Sequence, residues 1–386
     1  MPIPKRRQMA KFHDSEFDEA TLLKLEIFRG YIREWIPVFL TKNRFSHIHI
    51  YDFFAGPGTD KAGKPGSPII IIEELKKYLA DPKVPKATGV DITLYFNDKD
   101  KAHIDSLHKS IESLGSTSGF SIELSNLDFP DAYQKKLPEL KSNDSAKLVL
   151  LDQCGIKQVN DHVFKELIEC PTTDILFFIS SGIIHRFISE GSIRQYFPMP
   201  EEEIKSIKRQ EIHRYICRSF YERLIPSGQT YYLAPFSILK GTNIYGIIYG
   251  SSNFLGLQKF LKVCWNEDEV TGEANYDIDD DPIRRDGQAG LFPEFNIIKK
   301  QDTFRQDMIN FLKSGHKSNN NIYRFTLENG FLPKHVNDLF RQFQREGKLI
   351  VSSPVPGIEV PKGAFYISWD YYKDKQYKAR FEWKKD

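Results

Sequence analysis

Apolar residues recur along this chain in two rhythms, and the rhythms cut it into segments. From Asp18 to Leu40, the residues Leu22, Leu25, Ile27, Phe28, Ile32, Trp35 and Ile36 return at the spacing of one helix face, which Pro37 perturbs near its end. The alternation His47-Ile48-His49-Ile50 then marks a first strand, and four more short strand patterns follow at Ile92 to Phe96, Ser121 to Leu124, Ala146 to Leu151 and Thr173 to Ser180. The run ending at Leu151 is bounded by polar turns, as a central parallel strand covered on both faces should be. Helical stretches separate the strands: Ser67 to Tyr78, opened by a Ser-Pro pair suited to a helix start, and Lys101 to Leu114. Strand and helix in alternation predict an α/β fold with a parallel sheet.

Farther on, Glu201 to Leu224 carries Ile204, Ile207, Ile212, Tyr215, Ile216, Phe220 and Tyr221 in a mixed-charge helix within a helical insertion at about 187–228. Strands Gln229 to Phe236 and Ile244 to Tyr249, joined by Lys240-Gly241-Thr242-Asn243, and a helix from Leu255 to Cys264 complete a seven-stranded, doubly wound, Rossmann-like sheet. Residues 266–300 change character. Asn266-Glu267-Asp268-Glu269 and Asp277-Ile278-Asp279-Asp280-Asp281 are acidic, lack the glycine and closing glutamate of a calcium loop, and read as a solvated linker between a domain at 1–265 and one at 301–386. In the latter, helices from Thr303 to Leu312, Asn321 to Glu328 and Pro333 to Glu346 precede strands at Leu349 to Val351 and Ala364 to Trp369. That order spells a winged helix-turn-helix. Lys334, His335, Asn337, Arg341, Gln342 and Arg345 on the third helix, Lys362 in the wing loop and the lysines from Lys373 to Lys385 offer a basic surface to nucleic acid, DNA or RNA, although such modules also dock proteins.

Candidate chemistry gathers where strands end. The first strand runs into Tyr51-Asp52-Phe53-Phe54-Ala55-Gly56-Pro57-Gly58, an acid followed by a tight turn that leaves backbone open to close approach by a ligand. Turns of this kind lie at the carboxyl edge of open α/β sheets, where nucleotides bind. A third glycine is missing, so the dinucleotide fingerprint is not met. The stretch resembles the first motif of class I S-adenosylmethionine-dependent methyltransferases, particularly those acting on nucleic acid. With Leu25-Glu26-Ile27 before it, Gly66-Ser67-Pro68 after it, Leu151-Asp152-Gln153-Cys154-Gly155, Asp174-Ile175-Leu176-Phe177-Phe178 and Tyr249-Gly250-Ser251-Ser252-Asn253 through Cys264-Trp265, the chain is similar to the three-Cys-motif partner protein family over residues 10–280.

That resemblance implies S-adenosyl-L-methionine as cofactor and a partner protein bearing three cysteines. It implies cofactor contacts from Asp52, Phe53, Ala55, Gly56 and Gly58, a ribose-binding acid at Asp98 with Asn97 as the alternative in a shifted register, and adenine contacts from Asp128 and Phe129. Asp152 is the expected catalytic residue, orienting a nucleophile or acting as a base. Gln153 and Cys154 depart from the Asp-Pro-Phe-Gly of the resembled family and from the Asp/Asn-Pro-Pro-aromatic of amino-methyltransferases, which leaves a non-catalytic adaptor as the alternative. Cys154 as a covalent nucleophile, and a hydrolase with Asp52, Asp98 and Asp152 on a metal, are weaker readings. Lys24 and Lys42 read as solvated, Lys61 and Lys64 sit in a mobile glycine-rich loop, and His185 and Arg186 fall just past the fifth strand.

Charge and cysteine content narrow the setting. A net charge of +2 over 386 residues creates no global field for a polyanion, so binding must come from local patches. Cys154, Cys170, Cys217 and Cys264 are widely spaced, with no metal-ribbon pattern, which suits a reducing cytoplasm. No apolar run reaches signal or membrane-spanning length, and neither metal nor membrane is expected.

Overall fold

The computed structural model describes residues 16–41, 44–153, 155–281 and 299–384. Cys154 and Lys42 lie outside them, as do Lys385 and most of the second half of the expected linker. The predicted seven-stranded sheet is present, its strands lying side by side in the order third, second, first, fourth, fifth, seventh, sixth along the chain, and the chain divides into two compact units, residues 1–180 and 181–386.

The first unit holds five parallel strands: β1 (His47–Asp52), β2 (Asp91–Asn97), β3 (Ser121–Ser125), β4 (Ser145–Leu151) and β5 (Thr173–Ile179). Asp52 lies beside Phe96 on one side and Leu150 on the other. The chain leaves β1 toward β2 and later returns on its opposite flank as β4, so the carboxyl edge between β1 and β4 is the topological switch point where such sheets bind ligands.

Helix α1 (Glu19–Leu40) starts where the Asp18 carboxylate caps the Thr21 amide at 2.9 Å, and it buries Leu25, Ile27, Phe28, Ile32, Trp35 and Ile36 as its spacing predicts. Pro37 sits inside its last turn, with the Thr41 hydroxyl donating to the Pro37 carbonyl. α2 (Ser67–Ala80) begins after Gly66 with Pro68 in its first turn, α3 (Lys101–Ser113) is capped by Asp100, and α4 (Phe129–Leu140) and α5 (Asp161–Glu169) complete the unit.

The second unit opens with short helices, α6 (Ser181–Phe187), α7 (Gly191–Arg194), α8 (Glu201–Ser206) and α9 (Ile212–Ile216). The single helix expected over 201–224 is broken, because Ile207 leaves helical geometry and Cys217–Tyr221 forms a turn of π-helix. Across the break, Ile212, Ile216, Cys217, Phe220 and Tyr221 all remain buried, on the face that their helical spacing predicts. The antiparallel hairpin of β6 (Tyr232–Lys240) and β7 (Asn243–Ser251) pairs up to the two-residue turn Gly241-Thr242, so β6 extends past the expected Phe236. α10 (Phe254–Glu267) packs against this hairpin.

The C-terminal module is a winged helix-turn-helix. Its helices are Lys299–Lys313, Asn319–Glu328 and Pro333–Arg345, around a core of Phe304, Met308, Ile322, Val336, Phe340 and Phe343. The wing differs from expectation: β9 (Leu349–Ser352) pairs not with 364–369 but with β10 (Arg380–Trp383), which also pairs with β8 (Lys317–Ser318). Phe365 and Ile367 fill the core without joining a ladder. The buried Asn319 holds the intervening chain, its amide donating to the carbonyls of Tyr366 and Gln376 and its oxygen accepting from Lys378 and Ala379.

The described part of the acidic stretch is not a solvated linker. Asp268, Glu273 and Asp281 are buried. Glu273 lies between Arg214 and Lys300, with nitrogen–oxygen distances of 2.6 and 2.8 Å, and Asp268 accepts from Thr271 and from the amides of Val270 and Glu273. Acidic composition signals solvent only where basic partners are distant in space, and Arg214 is far away only in sequence.

Candidate functional site

The turn after β1 is built by hydrogen bonds from neighbouring strand ends. The Phe53 amide donates to Leu150 and the Ala55 amide to Asn97, and the Gly56 amide donates to the Asp98 carboxylate at 3.0 Å. Gly56 and Gly58 have φ of 64° and 90°, in the left-handed region that glycine alone enters without strain. A methyl group on Gly58 would stand 2.9 Å from Leu107 Cδ1, so helix α3 closes on the turn from behind.

Asp52 is buried completely. It accepts from the Phe54 amide at 3.1 Å and from the Ser67 hydroxyl at 2.6 Å, tying the end of β1 to the start of α2. Burial pushes its carboxyl up to about 7, against the pull of those two donors, and the nearby Asp152 charge adds to the rise. It faces no solvent, so it shapes the turn from beneath and does not present itself to a ligand.

Asp98 is different. One oxygen accepts from Gly56, the other from the Asp100 amide at 2.8 Å, and His103 Nδ1 stands 3.2 Å away. A carboxylate offers about four acceptor positions, so capacity remains, and the side chain retains 13% exposure. Asn97 is wholly committed: it donates to the Phe53 and Leu127 carbonyls and accepts from the Leu127 amide. At 1% exposure Asn97 braces the turn from within, and of the two side chains it is Asp98 that keeps some exposure.

At the end of β3, Asp128 stands exposed at the N-cap of α4, and its side chain forms no capping bond. Phe129 is 5% exposed, stacked on Phe54 at 5.1 Å and set edge-on to Phe53 at 5.6 Å. Phe53 is likewise buried. Phe54, partly exposed, is the ring of this cluster nearer to solvent, and sequence reasoning passed over it because its neighbours filled the motif.

The end of β4 holds a feature that sequence reasoning misread. Lys24, expected to be solvated, is 7% exposed and forms an ion pair with Asp152, while its ammonium lies 5.0 Å from the centre of the Phe178 ring on β5. Gln153 folds inward at 1% exposure, its carbonyl accepting from the Gln158 and Val159 amides. The usable signal was Lys24 within the apolar face Leu22, Leu25, Phe28, where a lysine is inward only when paired.

Other candidates fall elsewhere. The loop around Lys61 and Lys64 is an ordered turn, in which Asp60 accepts from the amides of Phe17, Ala62 and Lys64. His185 contacts the Ile207 carbonyl and Arg186 the Asn243 side chain, both within the second unit. Among the described residues no three of His, Cys, Asp and Glu are placed to hold a metal ion, so Asp52, Asp98 and Asp152 do not converge. Cys170, Cys217 and Cys264 are buried free thiols. No described helix is long and apolar enough to cross a membrane.

On the winged helix, Lys334, Arg341, Arg345 and Lys362 are exposed and Asn337 is partly so, with Arg341 paired to Asp338. His335 does not belong with them. It packs on Trp265 at 4.1 Å and accepts from the Leu332 amide, and burial, with Lys334 and Lys300 near, lowers it to about 4.

Residues 275–356 match the family described as GMT-like wHTH domain. A sequence comparison with curated proteins finds no match. Among solved structures, Trm1 from Pyrococcus horikoshii, determined with S-adenosyl-L-methionine, aligns at 9% identity and a TM-score of 0.38 over 65% of this chain and 62% of its own. The O-methyltransferase from Bacillus cereus in complex with SAH aligns at 14% and 0.33 over 62% and 83%. The small RNA methyltransferase HEN1 aligns at 11% and 0.31 over 62% and 27%. The present chain thus spans less than two thirds of the length of Trm1.

Proposed function

We propose that this protein is an S-adenosyl-L-methionine-dependent methyltransferase acting on nucleic acid, which its winged helix binds through Lys334, Asn337, Arg341, Arg345 and Lys362. The observation that carries the reading is the bond from the Gly56 amide to Asp98. It brings the left-handed glycine turn and a partly free carboxylate to the same carboxyl edge, beside the switch between β1 and β4.

An adenosyl sulfonium fits these residues. Asp98 has acceptor capacity for ribose hydroxyls, Asp128 has an exposed carboxylate for the adenine amino group, and the backbone at Ala55, Gly56 and Gly58 is bare enough for close contact. The bound cofactor supplies an electrophilic methyl group. The chain's own task is to align a nucleophile with it, and alignment supplies most of the rate in such transfers. Asp152, at the next strand end, is the group positioned to orient the acceptor.

Calorimetry with S-adenosyl-L-methionine tests this directly. Micromolar binding is expected from the native protein, reduced at least about 100-fold in Asp98→Ala through loss of charge-assisted hydrogen bonds, and abolished in Gly56→Trp. Absence of binding by the native protein sinks the proposal.

One observation favours a second reading, the non-catalytic adaptor. Lys24 already occupies the Asp152 carboxylate, and Gln153 is turned inward where amino-methyltransferases display a proline and an aromatic. Under that reading the fold serves to bind nucleic acid or a three-Cys-motif partner protein, and such binding persists without any cofactor affinity.

A further inference from the structure

The end of β4 constrains which acceptor could be methylated. An exocyclic base amine presents two N–H donors and has its lone pair drawn into the ring. It needs acceptors around it and, once flipped from the stack, a flat apolar group against its face. Here a lysine ammonium points at the only carboxylate among the described residues at that strand end, and the adjacent Gln153 is folded inward at 1% exposure. An amine would therefore meet a donor against its own donors. A ring nitrogen carries no proton for Asp152 to take, and a carboxylate acceptor would be repelled by it.

A hydroxyl satisfies both partners at once. Its oxygen has two lone pairs, one to accept from Lys24 and one to attack, and its hydrogen can be given to Asp152. Lys24 is held for this role: buried along α1, seated near the Phe178 ring and fixed to one oxygen of Asp152, whose side chain keeps 23% exposure. We infer that the acceptor is a ribose hydroxyl of RNA, and that Lys24 and Asp152 together activate it; this rests on the methyltransferase reading above. RNA is the favoured source because the chain carries a winged helix with exposed Lys334, Arg345 and Lys362, and because the 2′-hydroxyl is what separates RNA from DNA at a binding site.

The step balances without any further reagent. The hydroxyl oxygen forms a bond to the methyl carbon as the carbon–sulfur bond breaks, and that electron pair stays on sulfur, which becomes a neutral thioether. The hydroxyl proton passes to Asp152 and from there to water. Lys24 remains an ammonium throughout and stabilises negative charge growing on the oxygen.

The test incubates the full chain with labelled cofactor and either an oligoribonucleotide or its all-2′-deoxy counterpart, then digests the product to nucleosides. Label in 2′-O-methyl nucleosides from RNA only is expected. Label on bases or on DNA overturns the inference while leaving the nucleic-acid methyltransferase reading intact; label on protein side chains, or absence of cofactor binding by calorimetry, fails that reading itself.

A second readout needs no turnover. Fluorescence anisotropy without cofactor should show about 10-fold tighter binding to the oligoribonucleotide than to the deoxy strand, the worth of one charge-assisted hydrogen bond. Lys24→Met should erase that preference and lower kcat about 100-fold or more, with cofactor affinity unchanged within threefold. If Lys24→Met does not fold, Asp152→Asn carries the same expectation. Retention of the RNA preference and of kcat in the folded variant overturns the assignment.

Discussion

Replacing Asp52 by asparagine isolates the electrostatic cost concealed beneath the β1 turn. The carboxyl is fully buried, and burial, which disfavours the charged form, pushes it up from the ordinary 3.8 to about 7. A carboxyl raised in this way holds its proton more tightly in the folded chain than in the unfolded one. Its stabilising share is complete at low pH and is lost as pH rises through 4 to 7. From pH 5 to pH 8 the titration spans roughly two pKa units, or about 2.7 kcal/mol at 1.36 kcal/mol per unit. Asparagine keeps the geometry, since its carbonyl can accept from Phe54 and its amide can donate to the Ser67 oxygen, but it carries no titrating proton. Trp35 is the sole tryptophan in residues 1–180, so urea unfolding followed at Trp35, with Trp265, Trp369 and Trp383 replaced by phenylalanine, reports on the first unit. Relative to Asp52→Asn, the native chain should lose about 2.7 kcal/mol between pH 5 and 8, while an infrared carboxyl band absent from the variant disappears near pH 7. A difference constant within about 0.5 kcal/mol across that range, equivalent to a shift of less than half a unit, would refute the reasoning.

Further outcomes follow from the same geometry. Gly58→Ala should destabilise the first unit by about 1–3 kcal/mol, from a left-handed φ and a 2.9 Å approach to Leu107, read as a lowered unfolding midpoint, and should weaken cofactor binding in calorimetry. Burial opposes ionisation of Glu273, but Lys300 and Arg214 outweigh it and hold the carboxyl down at about 2. Its stabilising share is therefore present above pH 4.5 and lost as pH falls toward 2. Glu273→Ala, which leaves both cations unpaired, should cost about 3–5 kcal/mol in thermal or urea unfolding of the second unit. Lys362→Glu and Arg345→Ala should each flatten the dependence of log affinity on log salt for a nucleic acid duplex by roughly 1, the share of one phosphate contact. His335, lowered to about 4 and packed on Trp265, should leave nucleic-acid affinity flat between pH 6 and 8, and a step there that vanishes in His335→Gln would show otherwise.

Much of the architecture was legible because it rests on local rules. The strands from His47 to Ser180 announced themselves by apolar runs ending in polar turns, and Gly56 and Gly58 marked a turn that needs positive φ. What stayed hidden depended on partners remote in sequence. Lys24 and Asp152 are 128 residues apart, and nothing local to either reveals that they pair. The true second wing strand, Arg380–Trp383, was obscured because Phe365 and Ile367 show strand-like alternation while serving only as core filling. Glu273 read as part of a solvated acidic run because its two cations come from α9 and from the first helix of the winged module. Composition registers charge, and it is silent on who answers it.

The three strand-end acids make the same point about function. Asp52, Asp98 and Asp152 stand at the ends of β1, β2 and β4 at one sheet edge, so position alone would assign them one kind of work. Their donors separate them. Asp52 has a hydroxyl and an amide and no solvent, which makes it a brace beneath the turn. Asp98 spends one bond from each oxygen on backbone and keeps an exposed remainder with acceptor capacity to spare. Asp152 faces the Lys24 ammonium and keeps part of its carboxylate exposed, the part that the proposed hydroxyl acceptor would meet. Inspecting strand ends for acids finds the edge; counting the lone pairs still free on each one decides what that edge can bind.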